Sequence, residues 1–327
     1  MNSSAGNFGD ARDETIAHVR ITVLCFCLLF TLGGNLFVFL LVTRNRPKSV
    51  HQLHIYHFMV HLSLADMLVG VFNILPQIVW EIYFRFRWGN IACKFVKFMQ
   101  IFVLYLSTYT LVGLSLNSSL VVRSGSSSTS SRLWVILGAG WFLSALLASP
   151  QVYIFSFKQL SNGVYDCWGT FDPPLTSVRY VVYFIAMALI VPALIMGACY
   201  SYLCRASSKR LMSDAKLKTI RMTMVMVLVF VLCWTPFCCA QLYLVFGGEE
   251  ASTFVTMCLM VPNLNSCANP WVYLSFSTDL RRRLVNFCSL IHLRGNRYGE
   301  ESRKPCTRAN AIVCEKPARQ LRGYRIS

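Results

Sequence analysis

An aspartate in the middle of an apolar run is the first residue of this 327-residue chain whose type and place suggest chemistry. Asp66 closes the segment Leu62-Ser63-Leu64-Ala65-Asp66, and an ionisable group at the centre of a membrane span costs about 2.5–3.5 kcal/mol on insertion scales. Asn35, Ser107, Asn265, Ser266 and Asn269 stand at matching depth in other apolar runs. Two readings stay open. These oxygens could ligate a small hard cation such as sodium, with Asp66 giving the charge, or they could form a hydrogen-bonded polar core that orients helices. A second set, Gln77, Glu81, Lys97, Gln100, Gln151 and Gln241, falls toward one end of four runs. Each glutamine offers donors and acceptors, which suits a cavity that pairs with exposed peptide backbone. With Trp80, Trp168, Phe98 and Phe171 beside them, a ligand pocket is favoured over packing contacts.

His51, His54, His57 and His61 recur at spacings of three, three and four and share one helical face. A metal centre would need histidines on a second span, and the other two, His18 and His292, lie near opposite ends of the chain. No Ser/His/Asp set, phosphate loop or paired carboxylate within reach of the cluster is visible, so no enzymatic activity is expected. No cofactor is expected beyond the allosteric sodium ion.

The elements that must position these residues are helices in a membrane. Only 14% of the chain is charged while 55% is hydrophobic, against about one-quarter charged in soluble domains. Seven charge-poor runs, roughly 21–43, 55–82, 93–122, 133–156, 178–204, 222–246 and 252–276, are long enough to cross about 30 Å of hydrocarbon. Runs this long without alternation favour helices over a barrel. The expected fold is an all-α seven-transmembrane helix bundle spanning 19–277, with an extracellular N-terminal segment 1–18. A cytoplasmic tail 278–327 is expected to begin with a short amphipathic helix. Pro76, Pro150, Pro192, Pro236 and Pro270 lie inside spans and invite kinks.

The net charge of +17 sets the orientation. Arg44, Arg46 and Lys48 follow the first span, Arg123 and Arg132 flank the loop after the third, six basic residues lie from Arg205 to Arg221, and twelve from Arg281 onward. These mark the cytoplasmic side, which predicts a multi-pass plasma-membrane protein with its N-terminus outside. The same charge suits anionic membrane lipids and is not read as nucleic-acid binding. Residues 1–18 are polar, so no signal peptide is expected and the first span serves as its own insertion signal. Asn2-Ser3-Ser4 is a glycosylation sequon on the predicted outer side. Of fourteen cysteines, only Cys93 and Cys167 fall at the outer face, which predicts a bridge between them. Cys288, beside basic residues after the last span, is a candidate for palmitoylation.

These residues resemble the rhodopsin-like family of G-protein-coupled receptors. Gly34-Asn35, Leu62-Ser63-Leu64-Ala65-Asp66, Trp141, the Cys93 and Cys167 pair, Pro192 with Tyr200, Cys233-Trp234-Thr235-Pro236 and Asn269-Pro270-Trp271-Val272-Tyr273 match its motifs in order. Longer strings resemble the oxytocin/vasopressin receptor branch: Arg85-Phe86-Arg87, Asp166-Cys167-Trp168-Gly169-Thr170-Phe171 and Leu264-Asn265-Ser266-Cys267-Ala268-Asn269-Pro270-Trp271. Receptors for gonadotropin-releasing and adipokinetic hormones share part of this and rank second. The resemblance implies a small disulfide-cyclised peptide hormone entering from outside, meeting Gln77, Gln100, Gln151 and Gln241 with Lys97 and Glu81. It implies Trp234 at the pocket floor, sodium at Asp66 in the inactive state, and rearrangement of Tyr200, Pro236, Pro270 and Tyr273 on activation. Implied partners are a heterotrimeric G protein and arrestin.

Three departures qualify that picture. Asn117-Ser118-Ser119 stands where the family has an acidic-Arg-Tyr triplet, followed by a serine-rich stretch, Ser124 to Ser131, that reads as a flexible linker. Weak or absent G-protein activation is the expectation. Arg20 stands where the branch has an acidic residue, which predicts preference for a neutral ligand tail over a basic one, although Glu81 could receive a basic group. Asn73 replaces a glutamine one turn below Gln77. The alternatives are a non-signalling peptide-binding decoy or arrestin-biased receptor and a transporter; inverted repeats, which a transporter would carry, are not visible.

Overall fold

A computed structural model describes residues 14–44, 50–124, 130–160, 163–171, 176–209, 214–247, 253–276, 281, 282, 284 and 285. Asn2 and Cys288 lie outside the described residues. The chain divides into two compact units, Met1–Phe276 and Ser277–Ser327. In the second unit the four described residues are helical.

The first unit is a seven-helix transmembrane bundle. Helix α1 is Glu14–Thr43, about 45 Å long at the α-helical rise. It begins five residues before the expected start at 19, and Glu14 in its first turn complements the helix dipole. Helix α2 runs Val50–Val69, widens into a π turn at Gly70–Ile74, and finishes as Leu75–Tyr83. Helix α3 is Gly89–Ser124. Helix α4 is Ser130–Ala148, followed by the single turn Gln151–Ile154. Helix α5 is Ser177–Ile185, with a π turn at Ala186–Ile190 and a continuation Val191–Lys209; the Thr176 hydroxyl caps it by accepting from Arg179 N at 3.3 Å. Helix α6 is Asp214–Val245, ended by Gly247 at φ 94°. Helix α7 comprises Thr253–Met260 and Pro262–Phe276.

Both π turns stand just before a proline. A proline ring clashes with the carbonyl four residues back, and one extra residue per turn moves the carbonyls that Pro76 and Pro192 would meet. In α7 the interruption at Val261 has a related cause, since Pro262 lacks the N–H to continue a helix and suits a first position.

Between α4 and α5 the chain forms a hairpin of β1, Phe155–Gln159, and β2, Tyr165–Gly169. The hairpin sits in a connection of the expected all-α bundle. The span read to residue 156 ends at Ile154, because Phe155 and Ser156 pair with Gly169 and Trp168. Among the described residues six helices are each long and apolar enough to cross a membrane unbroken, and α7 is divided at Val261. Helix α3 is their axis: 72% of its apolar window is buried, against 28% for α1 and 22% for α4. Close approach of α1 and α7 needs Gly34, where a Cβ would lie 3.0 Å from the Pro270 ring.

Candidate ligand-binding site

The Cys93 end of α3 is the most heavily cross-linked part of the described bundle. Cys93 is bonded to Cys167, with Cα atoms 5.5 Å apart. Lys94 Nζ donates to Val152 O at 2.6 Å, and Asn90 Oδ1 accepts from Phe157 N at 3.1 Å. The string Asp166-Cys167 has a clear local role. Asp166 Oδ1 accepts from Phe86 N at 3.0 Å and Cys167 N at 2.8 Å, and its Oδ2 lies 3.7 Å from Arg85 Nη1. One buried carboxylate thus joins the α2–α3 turn to the hairpin, which is why Arg85-Phe86 and Asp166-Cys167 occur together. That turn opens with Phe84 in the left-handed region, φ 61°.

Next along α3, the Lys97 ammonium lies 4.3 Å from the Trp80 ring centroid and 5.2 Å from that of Phe155. Cation–π attraction holds it there, with no carboxylate in contact among the described residues. Gln100, one turn further, is buried and Gln241 on α6 is half-buried; neither makes a hydrogen bond among the described residues.

The other glutamines are engaged within the protein. Gln77 Nε2 donates to Asn73 Oδ1 at 3.0 Å, Asn73 Nδ2 to Asn263 Oδ1 at 2.9 Å, and Asn263 Nδ2 to Gln77 Oε1 at 3.5 Å. This closed ring of amides joins α2 to α7. Gln151 Nε2 donates to the Tyr180 hydroxyl at 2.6 Å, and the Tyr180 ring lies tilted against Phe171 with centroids 5.5 Å apart. Glu81 is engaged too: Arg20 Nη1 donates to its Oε1 at 3.2 Å and Arg20 Nη2 to Thr256 Oγ1 at 3.0 Å. A basic ligand group at Glu81 would therefore meet Arg20 there. The sequence reading missed Asn263, Thr256 and Tyr180. For Asn263 a signal existed, since Asn263, Ser266 and Asn269 are spaced by three on one helical face.

Below these residues Ser107, Ser266 and Asn269 meet Asp66. Asp66 is fully buried; Ser107 Oγ donates to its Oδ1 and Asn269 Nδ2 to its Oδ2, both at 2.7 Å. Ser266 faces the same carboxylate. Asn35 Nδ2 donates to Thr31 O and Ser266 O, each at 2.9 Å, which ties α1 to α7. The Asn265 Oδ1 is buried without a partner among the described residues. The donor set, a carboxylate with hydroxyl and amide oxygens, is of the kind hard cations take.

Trp234 is buried among Phe184, Phe230 and Phe237, with centroids 6.1, 6.2 and 5.8 Å away. Pro236 and Pro270 lie within continuous helix. The Tyr273 hydroxyl is buried with no partner among the described residues. The Tyr200 hydroxyl faces Thr223 and Ser115 without a well-formed hydrogen bond.

At the far end of α3 the described bonds are made by imidazole, amide and hydroxyl groups. His54 Nδ1 and Asn117 Oδ1 are 3.2 Å apart, both residues buried. Ser118 Oγ donates back to Leu114 O at 2.7 Å, and Ser119 Oγ to Ser115 O at 3.1 Å and Cys199 O at 3.4 Å. A shallow depression beside Asn117 and Ser118 is walled by Ile55, Val121, Val122, Thr219 and Ile220. The described histidines of the α2 cluster have aromatic or amide neighbours: His57 lies 5.0 Å and His61 6.2 Å from Trp134.

A bundle of seven spanning helices with a bridged loop over one end and a buried aspartate at its centre defines a membrane receptor class. The family model for the 7 transmembrane receptor (rhodopsin family) matches residues 34–273, and the chain belongs to that family. It is 34% identical to an isotocin receptor of Catostomus commersonii, covering 90% of this chain and 86% of that protein. It is 34% identical to the oxytocin receptor of Ovis aries, covering 89% and 84%. With the vasopressin V1b receptor of Homo sapiens it shares 32% identity over 83% and 76%. Within the family it therefore lies in the oxytocin/vasopressin receptor branch. These relatives are receptors, and the chain is no enzyme.

Proposed function

We propose that this protein is a plasma-membrane receptor for a small disulfide-cyclised peptide of the oxytocin/vasopressin type. In this reading the N-terminus and the hairpin face outward, and the basic end faces the cytoplasm. The observation that carries it is the division among the polar residues of the Cys93 end. Gln100 and Gln241 keep unpaired amides, and the Lys97 ammonium rests on aromatic rings, on a frame in which Asn73, Gln77, Asn263 and Gln151 are already paired with one another or with Tyr180. Unpaired amides held in place match the carbonyl and N–H groups of a cyclic peptide. Agonist binding shifts the population toward a bundle with α5 and α6 displaced outward at the basic end. Trp234, Tyr200 and Tyr273 repack in that step, and sodium at Asp66 favours the inactive arrangement.

Coupling to a heterotrimeric G protein is weak in this reading, because Ser118 offers no cation and its hydroxyl is turned back onto Leu114 O. The same observation favours a second reading, a peptide-binding protein that signals through arrestin or sequesters its ligand. Saturation binding of a labelled oxytocin-like nonapeptide, with and without nucleotide-free heterotrimer, separates the two, since coupling between sites is reciprocal. Saturable binding is expected, with an affinity shift under about threefold in the wild type and about tenfold in Ser118→Arg. A full shift in the wild type would remove the proposed impairment. Absence of saturable peptide binding would remove the receptor assignment.

A further inference from the structure

Arg20 reaches from α1 to α2 and α7, and the manner of its contact is informative. It touches one oxygen of Glu81 through Nη1 and the Thr256 hydroxyl through Nη2, without the two-pronged geometry that makes arginine–carboxylate pairs strong. Its Nε is buried with no partner among the described residues. The side chains of Arg20 and Glu81 are 32% and 25% exposed, so water reaches both, and partly exposed single-pronged pairs contribute little to stability. A pair selected to clamp helices would engage both carboxylate oxygens and satisfy the third nitrogen. Of the other described carboxylates at this end, Glu14 in the first turn of α1 is engaged elsewhere, and Asp166 has both oxygens engaged by Phe86 N, Cys167 N and Arg85. Among the described residues, Glu81 is therefore the carboxylate that an incoming cation could reach, and a cation of the protein already sits on it.

We propose that Arg20 is a built-in occupant of Glu81 that competes with a basic side chain of the ligand, and so sets a preference for a peptide with a neutral residue at that place. The inference rests on the reading of this site as a peptide pocket and deepens it. Competition differs from simple repulsion in one respect. If Arg20 merely repelled a basic ligand, its removal would help that ligand whether or not Glu81 were present; if Arg20 competes, the benefit requires Glu81.

The test uses the full chain in membranes and two synthetic disulfide-cyclised nonapeptide amides that differ in one tail residue, leucine or arginine. The quantity read is the ratio of their dissociation constants. Wild type favours the leucine peptide. Arg20→Gln moves the ratio about tenfold toward the arginine peptide, and the shift disappears in Arg20→Gln/Glu81→Gln. Thr256→Ala, which removes one of the two acceptors holding Arg20, moves the ratio in the same direction by a smaller factor and serves where Arg20→Gln fails to reach the surface. A ratio unchanged within twofold overturns the inference, as does a shift that persists in full without Glu81. If neither peptide binds wild type or any variant saturably, the peptide reading falls and this inference with it; binding with an unchanged ratio sinks the inference alone.

Discussion

At its Cys93 end α3 is held by a disulfide, by Lys94 on Val152 O, and by Lys97 between Trp80 and Phe155. At its Ser124 end the same helix is held by the pair His54 and Asn117, by one long bond from Ser119 to Cys199 O, and by serines bonded to their own helix. Midway, Ser107 donates to the carboxyl group of Asp66. The links thus change along the helix, from a covalent bridge to a carboxyl contact to imidazole, amide and hydroxyl contacts. A neutral hydrogen bond contributes about 1 kcal/mol net, and one to a charged group roughly twice that. The lesson is mechanical: one end of α3 is a fixed reference against which a ligand can be read, and the other can change partners at low cost, as a two-state element must.

The comparison breaks most decisively at the disulfide. The bridge closes a loop with a sequence separation of 74, for which the chain-entropy model gives about 4 kcal/mol. Replacing both cysteines, Cys93→Ser with Cys167→Ser, frees the hairpin while leaving no lone thiol. Nonapeptide affinity should fall at least about a hundredfold, corresponding to about 2.7 kcal/mol. Competition binding on intact cells reads this directly. A fall of less than threefold would mean that the Asp166 bonds and aromatic contacts hold the hairpin alone, and that the covalent link is not what distinguishes this end.

Much of this layout was legible in the sequence because membrane insertion writes plainly: long charge-poor runs give helices, and a buried aspartate demands partners. Asp66, Ser107, Ser266 and Asn269 could be grouped from depth alone. The hairpin was not legible, because Phe155 to Gln159 continues the apolar run of α4 and only pairing with Tyr165 to Gly169 distinguishes strand from helix. Nor was the sorting of amides into engaged and free. Gln77 and Gln100 look alike in the sequence, yet Gln77 closes a ring with Asn73 and Asn263 while Gln100 has no partner among the described residues. Arg20 could be read as a charge near Glu81, but whether it repels or occupies is a matter of geometry.

The middle of α3 sharpens the comparison through Asp66→Asn. The new amide can keep both links, accepting from Asn269 Nδ2 and donating to Ser107 Oγ after that hydroxyl rotates. The substitution therefore isolates the charge from the hydrogen bonds. If sodium favours the inactive bundle through Asp66, replacing sodium by a bulky organic cation at constant ionic strength should raise agonist affinity about fivefold in the wild type. In Asp66→Asn the change should vanish while antagonist binding is kept. Equal sodium sensitivity in both proteins would assign the polar core to helix orientation alone.

The smallest effect belongs to the far end, and it tests whether that end is held at all. His54 and Asn117 are both buried, so removing either leaves the other with an unsatisfied group, at a cost of about 1–3 kcal/mol. Single substitutions would therefore overstate the bond. A double-mutant cycle of His54→Ala, Asn117→Ala and the pair together removes that bias, because the double variant leaves neither group stranded. The coupling expected is about 1 kcal/mol, read from the thermal loss of radioligand binding in detergent for the four proteins. The sign is set by the geometry: the double variant should be less destabilised than the sum of the singles. Coupling near zero would mean the 3.2 Å contact carries no net free energy and this end of α3 is held by packing, which makes the contrast with the Cys93 end sharper. Coupling above about 3 kcal/mol, the range of buried networks, would make the two ends alike. The low-cost exchange of partners on which the activation step depends would then have to lie in α5 and α6, at their prolines, Pro192 and Pro236.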